Sequence, residues 1–331
     1  MKLDKRSSEA TQPFGKLILN SLYGQAARIF VVAGLVGWGL SDCKTTPLDS
    51  TLPVFSTDTT GDRQIVNVIL TYNIDLTTDQ LYLYQSYPAP SSVDATGWNA
   101  EKANQAKHQQ AFSLFARIIP KAYRTQLKYL SIQQLDKQNL VFAAMGWQKN
   151  NSLSPFRLTL VSNILQYVDS IPAFKAPAYQ SNTLGYSISV YTMIHEFGHY
   201  LTWADKQASG VTGQTVTFGS GSIVDSLITR YWKPHLTDDV VTICFPKYGK
   251  MFFCFPSGSF VGSYASTSPE EDAAESFAQF VLLDARPTGA TEAERKIRLF
   301  YQSPTFVDVR TAIRANLRQM GITPRSPNWR L

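Results

Sequence analysis

The sequence predicts an α+β fold, with a small mixed sheet and a helical C-terminal part. Residues 66–76 and 156–162 alternate apolar with polar side chains, at the period of two that is typical of strands. Residues 269–282 carry a helix cap followed by an apolar stripe at helical spacing, and residues 292–320 read as two further helices, broken near Ser303-Pro304. The chain has 331 residues, of which 44% are hydrophobic and 17% charged, so it can bury a sizeable core.

The N-terminal segment, residues 1–43, is predicted to be an export signal. A basic start precedes the 12-residue apolar run from Ile29 to Leu40, which has the length of a signal-peptide core. The following Leu40-Ser-Asp-Cys43 resembles a bacterial lipobox, in which Cys43 would be lipidated and anchor the chain to a membrane. An uncleaved signal anchor and a short buried helix are the alternatives. Residues 44–63 are then a flexible tether, and residues 64–331 form a single folded domain.

Between the tether and residue 187 the pattern predicts further strands and helices. Residues 140–147 read as a strand, and the strand at 156–162 is expected at the sheet edge. Residues 100–135 read as two helices separated at Pro120. His108 is expected on the polar surface of the first of these helices, and His235 in a loop.

Charge and cysteine content exclude several kinds of site. The net charge of +6 arises from residue 286 onward, where nine Arg or Lys face three Asp or Glu. These basic residues are spread out, so we expect a solvated helical face and no nucleic-acid partner. No C-x-x-C pair is present, which argues against a cysteine zinc site. Cys244 and Cys254 flank a predicted hairpin and either form a disulfide or stay as thiols.

The segment 187–203 contains His195-Glu-Phe-Gly-His199, a match to H-E-x-x-H. On a helix, residues four apart project from one face, so His195 and His199 can bind one metal ion. Glu196 lies beside them and can take a proton from a water molecule. The alternative is two helix histidines that share this spacing by chance.

A catalytic zinc site needs a third protein ligand. The extended pattern H-E-x-x-H-x-x-G-x-x-H fails, because position 202 is Thr and position 205 is not His. Glu271 in the acidic run 270–275 is the favoured third ligand, with Glu270 and Asp272 as substitutes. Alternatively, Ser268-Pro-Glu-Glu271 is only a capping box. Glu275, one turn after Glu271, can hydrogen-bond a ligand histidine and fix its tautomer.

Tyr264 lies seven residues before Glu271 and can donate its hydroxyl to an oxyanion, or it is a packed loop tyrosine. With these residues the chain resembles a gluzincin. The HEFGH run and the Tyr before Glu-x-x-Ala-Glu resemble the catalytic domain of anthrax lethal factor. The whole arrangement, including Leu40-Ser-Asp-Cys43, is similar to the substrate import-associated zinc metallohydrolase lipoproteins.

That resemblance implies a zincin-like fold over 64–331, a Zn²⁺ cofactor, and hydrolysis of a peptide or protein substrate. It also implies an outer-membrane lipoprotein of a bacterium, close to a nutrient importer complex. The expected function is therefore that of an exported zinc metallopeptidase. The alternatives are a zinc hydrolase acting on a non-peptide amide or ester, and a catalytically silent lipoprotein that serves an importer.

Overall fold

The five strands of the main sheet combine parallel and antiparallel pairs. In a computed structural model, the residues described are 67–91, 93–134, 143–147, 155–162, 188–204, 208–212, 215–236, 243–247, 250–253 and 256–322. The strands are β1 (Val68–Asp75), β2 (Gln80–Ser86), β3 (Leu127–Gln133), β4 (Ala143–Trp147) and β5 (Phe156–Val161). Their order in space is β2-β1-β3-β5-β4. The β3–β5 pair is parallel, whereas β1–β2, β1–β3 and β4–β5 are antiparallel.

Helices form most of the rest of the described chain. They are α1 (Ala95–Ala103), α2 (Gln105–Ile118), α3 (Ile188–Trp203), α4 (Ile223–Leu227), α5 (Lys233–Leu236), α6 (Pro269–Leu282), α7 (Glu292–Phe300) and α8 (Pro304–Gln319). A π-helical turn, Ile228–Trp232, joins α4 to α5, and 3₁₀ turns occur at Lys121–Tyr123 and Tyr264–Thr267. No helix within the described ranges is both long and apolar enough to cross a membrane.

Two small hairpins complete the described secondary structure. Strand β6 (Ala208–Thr212) pairs with β7 (Thr215–Phe218), and β8 (Ile243–Lys247) pairs with β9 (Lys250–Phe253). The second is the hairpin that the sequence predicts. The mixed α+β class, with a small mixed sheet and several helices, is confirmed.

The segment after Pro120 is a strand and not the expected second helix. β3 is an interior strand with β1 on one side and β5 on the other, so hydrogen bonds to both neighbours decide its conformation. Its Leu130 and Ile132 are fully buried in the core. The short run LKYLSIQ carries too little periodicity to override that pairing.

The sheet edge nearest the motif helix is β4. The expectation that the strand at 156–162 forms the edge is wrong, because β5 lies between β3 and β4. Among the described strands β4 pairs only with β5, and it contacts α3. The edge strand is therefore the one that lies next to the helix carrying His195 and His199.

Two histidines lie in environments that differ from expectation. His108 is fully buried: its Nδ1 is 2.8 Å from the Tyr72 hydroxyl and its Nε2 is 2.8 Å from Glu101 Oε1. His235 lies in α5, with Nε2 3.2 Å from Glu292 Oε2. Tyr72 and Glu292 are 36 and 57 positions away from the histidines that they contact, so local polarity misleads.

The basic C-terminal residues are only partly solvated. Arg310 donates to the backbone oxygens of Phe280 and Leu283 at distances of 2.6 and 3.0 Å, and Arg314 also donates to the Leu283 oxygen. These two arginines on α8 thus satisfy carbonyls at the C-terminal end of α6, where cations are electrostatically favoured. They anchor one end of the helix that carries Glu271.

Candidate functional site

Helix α3 places His195 and His199 side by side. It is enclosed so tightly that every residue from Met193 to Tyr200 is buried. The two imidazole rings lie one turn apart, with centroids 4.9 Å apart and planes nearly perpendicular at 82°. The predicted pairing of these histidines on one helical face is therefore what the structure shows.

Helix α6 brings Glu271 to the histidines. Ser268 caps the helix, since its hydroxyl accepts a 3.2 Å hydrogen bond from the Glu271 backbone N–H, and Pro269 occupies the first turn. The Glu271 carboxylate points at α3, with Oε2 3.1 Å from His195 Nε2 and 3.2 Å from His199 Nε2. The cap and the contact with the histidines thus coexist, because the cap uses the Ser268 hydroxyl and the Glu271 backbone.

Gly198 allows α3 and α6 to approach this closely. A Cβ atom at this position would lie 3.0 Å from Phe277 Cδ1 and 3.1 Å from the Ala274 Cα. Backbone atoms cannot move aside as a flexible side chain can. The glycine of the HEFGH run is therefore required by the packing of the two helices that carry the site.

The three side chains can hold a metal ion. One ligand atom from each of His195, His199 and Glu271 lies within 4.8 Å of the others, and all three residues are buried. Ligand atoms bound tetrahedrally at about 2.0–2.1 Å lie about 3.3 Å from one another. The observed nitrogen–oxygen distances of 3.1 and 3.2 Å are close to that spacing.

Glu275 and Tyr191 orient His195 through the ring nitrogen Nδ1, which faces away from Glu271. Glu275 Oε1 is 2.9 Å from His195 Nδ1, on the ring edge opposite Glu271. Glu275 Oε2 accepts a 2.7 Å hydrogen bond from the buried Tyr191 hydroxyl. A carboxylate on Nδ1 keeps the proton there and leaves Nε2 free to bind a metal. Sequence reasoning found Glu275 but missed Tyr191.

His199 is oriented by packing. Its ring stacks on the buried Trp203 indole, with centroids 4.8 Å apart and an interplanar angle of 25°. Within the described residues its buried Nδ1 has no hydrogen-bond partner. The two histidines are therefore held by different interactions, His195 by a carboxylate and His199 by an aromatic ring.

Glu196 lies beside the histidines with its carboxylate enclosed. It accepts a hydrogen bond from the backbone N–H of Met145 on β4, which ties it to the sheet edge. Its Oε2 atom is buried and has no hydrogen-bond partner in the described part of the chain. Burial raises the pKa of this carboxyl, and the nearby histidines only partly oppose that effect. A carboxylate with a raised pKa is a stronger base and is better suited to accept a proton and return it.

The electrostatics at His195 favour a positive charge. Burial by itself lowers the pKa of this imidazole, but the hydrogen bonds that it donates to Glu271 and Glu275 and the negative charges around it raise the pKa well above its usual value. Two carboxylates therefore face one histidine at opposite nitrogens. Such an anionic pocket attracts a cation, whether a proton or a metal ion.

Tyr264 contacts the same carboxylate as the histidines. Its hydroxyl donates a 2.9 Å hydrogen bond to Glu271 Oε1, and its ring centroid lies 5.9 Å from that of His195. The side chain is half-buried, and so its hydroxyl sits at the rim of the site. The structure brings together all six predicted residues: His195, Glu196, His199, Tyr264, Glu271 and Glu275.

Asp272 and Glu270, the alternative candidates for the third metal ligand, lie in other surroundings. Asp272 forms a 2.8 Å ion pair with the buried Lys296 of α7, on a different side of α6. Glu270 is buried, and burial raises its pKa from 4.5 to about 7. Neither residue belongs to the group of three that could hold a metal.

The cysteine predictions fall largely outside the described residues. Cys43 and Cys254 are both outside, together with the predicted signal segment and tether. Cys244 lies in β8, on the predicted hairpin. The lipidation and the disulfide therefore remain predictions.

Comparison with known proteins finds no relative of this chain: no family model, no curated protein and no solved structure matches it.

Proposed function

We propose that this chain is a zinc-dependent metallopeptidase with a zincin-like fold. The observation that carries the proposal is the buried group of His195, His199 and Glu271, with Glu196 enclosed beside it. A cation-binding group alone would not need a buried, protonatable carboxylate next to its ligands.

Zinc is the ion that best suits this donor set. Two imidazole nitrogens and one carboxylate oxygen are a common ligand set of catalytic zinc, which leaves the fourth position open. A hard cation such as Mg²⁺ or Ca²⁺ favours oxygen ligands and more of them. When bound, zinc supplies Lewis-acid chemistry, because it polarises a carbonyl oxygen and acidifies a water molecule.

The protein's own side chains account for the proton transfers. Glu196 takes the proton from the attacking water and delivers it to the leaving amine, which its raised pKa favours. The Tyr264 hydroxyl donates a hydrogen bond to the oxyanion that develops on the substrate carbonyl. To do so it leaves its contact with Glu271, which the half-buried position of its side chain permits.

The edge strand β4 gives an extended peptide a place to bind. In the described sheet its outer edge has no neighbouring strand, and its Met145 N–H already bonds to Glu196. A substrate strand that added to this edge would run past the catalytic carboxylate. This arrangement favours a peptide substrate over a small ester or amide.

The cellular location of the enzyme is a separate proposal. It rests on the apolar run before Cys43 and on the resemblance to importer-associated lipoproteins. We propose an exported protein that is anchored to the bacterial outer membrane through Cys43 and works close to a nutrient importer. Incorporation of labelled fatty acid into the parent but not into Cys43→Ala supports the anchor, and equal labelling refutes it.

The proposed chemistry is tested by cleavage of a peptide library with protein of known metal content. About one zinc per chain is expected under the three-ligand model. Glu196→Gln keeps the size of the side chain and one acceptor oxygen but cannot take a proton. We expect it to retain zinc and to lower kcat by about 10²–10⁴-fold. Cleavage that survives this substitution refutes the mechanism, and zinc binding without any peptide cleavage favours a non-peptide hydrolase or a binding protein.

A further inference from the structure

We propose that the buried ion pair between Lys296 and Asp272 is a positioning element for the metal ligand Glu271 and for Tyr264. The inference rests on the proposed function. It concerns Asp272, the residue after Glu271 on α6, and Lys296 on α7, whose side chains do not belong to the proposed metal-binding group.

The ion pair is completely enclosed. Lys296 on α7 and Asp272 on α6 are both fully buried, and Lys296 Nζ lies 2.8 Å from Asp272 Oδ2. The same Asp272 oxygen accepts a 2.8 Å hydrogen bond from the Trp232 indole N–H. A second carboxylate, that of Glu292, lies 3.6 Å from the ammonium nitrogen. Asp272 is thus held both by a buried ammonium group and by the indole N–H of Trp232.

The same ammonium group also holds the segment that leads to Tyr264. Lys296 Nζ lies 3.9 Å from the ring centroid of Phe260, in the geometry of a cation–π contact. Phe260 also packs edge-on against Trp232, with centroids 5.5 Å apart. Phe260 precedes Tyr264 by four residues. One buried cation therefore contacts both α6, next to Glu271, and the chain that positions the phenol.

The position of Asp272 on the helix explains why this contact matters at the metal site. Consecutive residues of an α-helix are about 100° apart, so fixing Asp272 fixes the rotation of α6 and with it the direction of Glu271. An atom about 5–6 Å from a helix axis moves by about 1 Å when the helix turns by about 10°. Ligands must be held within about 0.5 Å to act together.

A role in stability alone explains the pair less well. Replacing a buried ion pair by apolar side chains of similar volume is often neutral or stabilising. This pair, however, joins the segment that carries Glu271 to the one that leads to Tyr264, because Lys296 contacts both Asp272 and Phe260. We therefore interpret the ion pair as an interaction that fixes the orientation of α6.

The test compares two Asp→Asn substitutions in ion pairs that involve a buried cation. Asp272→Asn removes the negative charge of the buried pair, and its amide oxygen can still accept the hydrogen bond from the Trp232 indole N–H. Asp79→Asn is the control away from the site, since the partly exposed Asp79 pairs with the buried Arg124 at 2.8 Å in the turn after β1. Asn tolerates the positive φ of 57° at position 79. A third variant, Lys296→Met with Asp272→Asn, removes both charges of the pair together, and Glu292 keeps its 3.2 Å contact with His235.

The readout is the zinc dissociation constant of the full chain, measured by competition with a fluorescent chelator, alongside urea unfolding of metal-free protein. We expect zinc binding to weaken about tenfold in Asp272→Asn and in the double variant. Asp79→Asn should keep the parental dissociation constant within about twofold, even where it loses comparable stability.

Each outcome decides the inference. Parental zinc affinity in the double variant overturns it and leaves the proposed function intact. Zinc affinity that falls in proportion to stability in all three variants, the control included, also overturns it, because the coupling would then be global. A parent that binds no zinc overturns both the inference and the proposed function.

Discussion

Replacing Gly198 by alanine tests the close packing of α3 against α6. Alanine in a helix interior normally stabilises by about 1 kcal/mol relative to glycine. Here the new Cβ would lie 3.0 Å from Phe277 Cδ1 and 3.1 Å from the Ala274 Cα. Carbon atoms at optimal separation are about 3.5–4.0 Å apart, so the helices must separate by roughly 0.5 Å. Overpacking of this kind costs about 1–3 kcal/mol, so we expect metal-free Gly198→Ala to lose up to about 2 kcal/mol of unfolding free energy.

The same separation should weaken zinc binding. The nitrogen–oxygen distances of 3.1 and 3.2 Å would lengthen by as much as the helices move. They would then exceed the spacing of about 3.3 Å that a tetrahedral site needs. We expect the zinc dissociation constant to rise about tenfold, which corresponds to about 1.4 kcal/mol.

The assay pairs urea unfolding with zinc titration, and Gly97→Ala serves as the control. Gly97 is an exposed glycine in the first turn of α1, and its nearest contact is Oδ2 of the capping residue Asp94 at 3.3 Å. Gly97→Ala should change stability by no more than about 1 kcal/mol and keep the parental zinc affinity, because α1 carries none of the proposed ligands. Added stability together with unchanged zinc binding in Gly198→Ala would refute the role of close packing.

Two further predictions concern groups close to the site. Tyr191→Phe removes the 2.7 Å hydrogen bond to Glu275. We therefore expect the zinc affinity, measured by chelator competition, to fall about tenfold. An unchanged affinity would contradict the role of Tyr191 in orienting His195. Glu270→Gln tests the pKa that burial raises from 4.5 to about 7. Between these values the folded state binds more protons than the unfolded state, so the parent loses stability as pH rises through this window, by up to about 3 kcal/mol. Metal-free Glu270→Gln should therefore be more stable than the parent at pH 8 and similar to it near pH 4 by urea unfolding, and a difference that does not vary with pH would refute this.

The sequence predicts the two helices that carry the site because their signals are local. The H-E-x-x-H spacing, the Ser268 cap and Pro269 all act within one or two helical turns, and the structure has α6 at the predicted residues. The sequence also predicts that Glu271 faces the histidines, because a catalytic zinc site needs a third protein ligand in addition to two histidines. Local rules suffice for these parts.

Features that depend on remote partners could not be predicted in this way. β3 is a strand because β1 and β5 enclose it, and its own short sequence does not show this. Tyr191 meets Glu275 across 84 positions of sequence. His108 is buried with its Nδ1 2.8 Å from the hydroxyl of Tyr72, which lies 36 positions earlier in the chain. In each case tertiary packing supplies a partner that no periodicity or spacing reveals.

The claim on which the account rests most is that His195, His199 and Glu271 jointly hold one metal ion. Anomalous diffraction at the zinc edge, from crystals grown with zinc, measures this directly. The account predicts one strong peak about 2.0–2.2 Å from the Nε2 atoms of both histidines and from an oxygen of Glu271. A peak at another place, or a zinc ion bound by the histidines with Glu271 turned away toward Ser268, would contradict it.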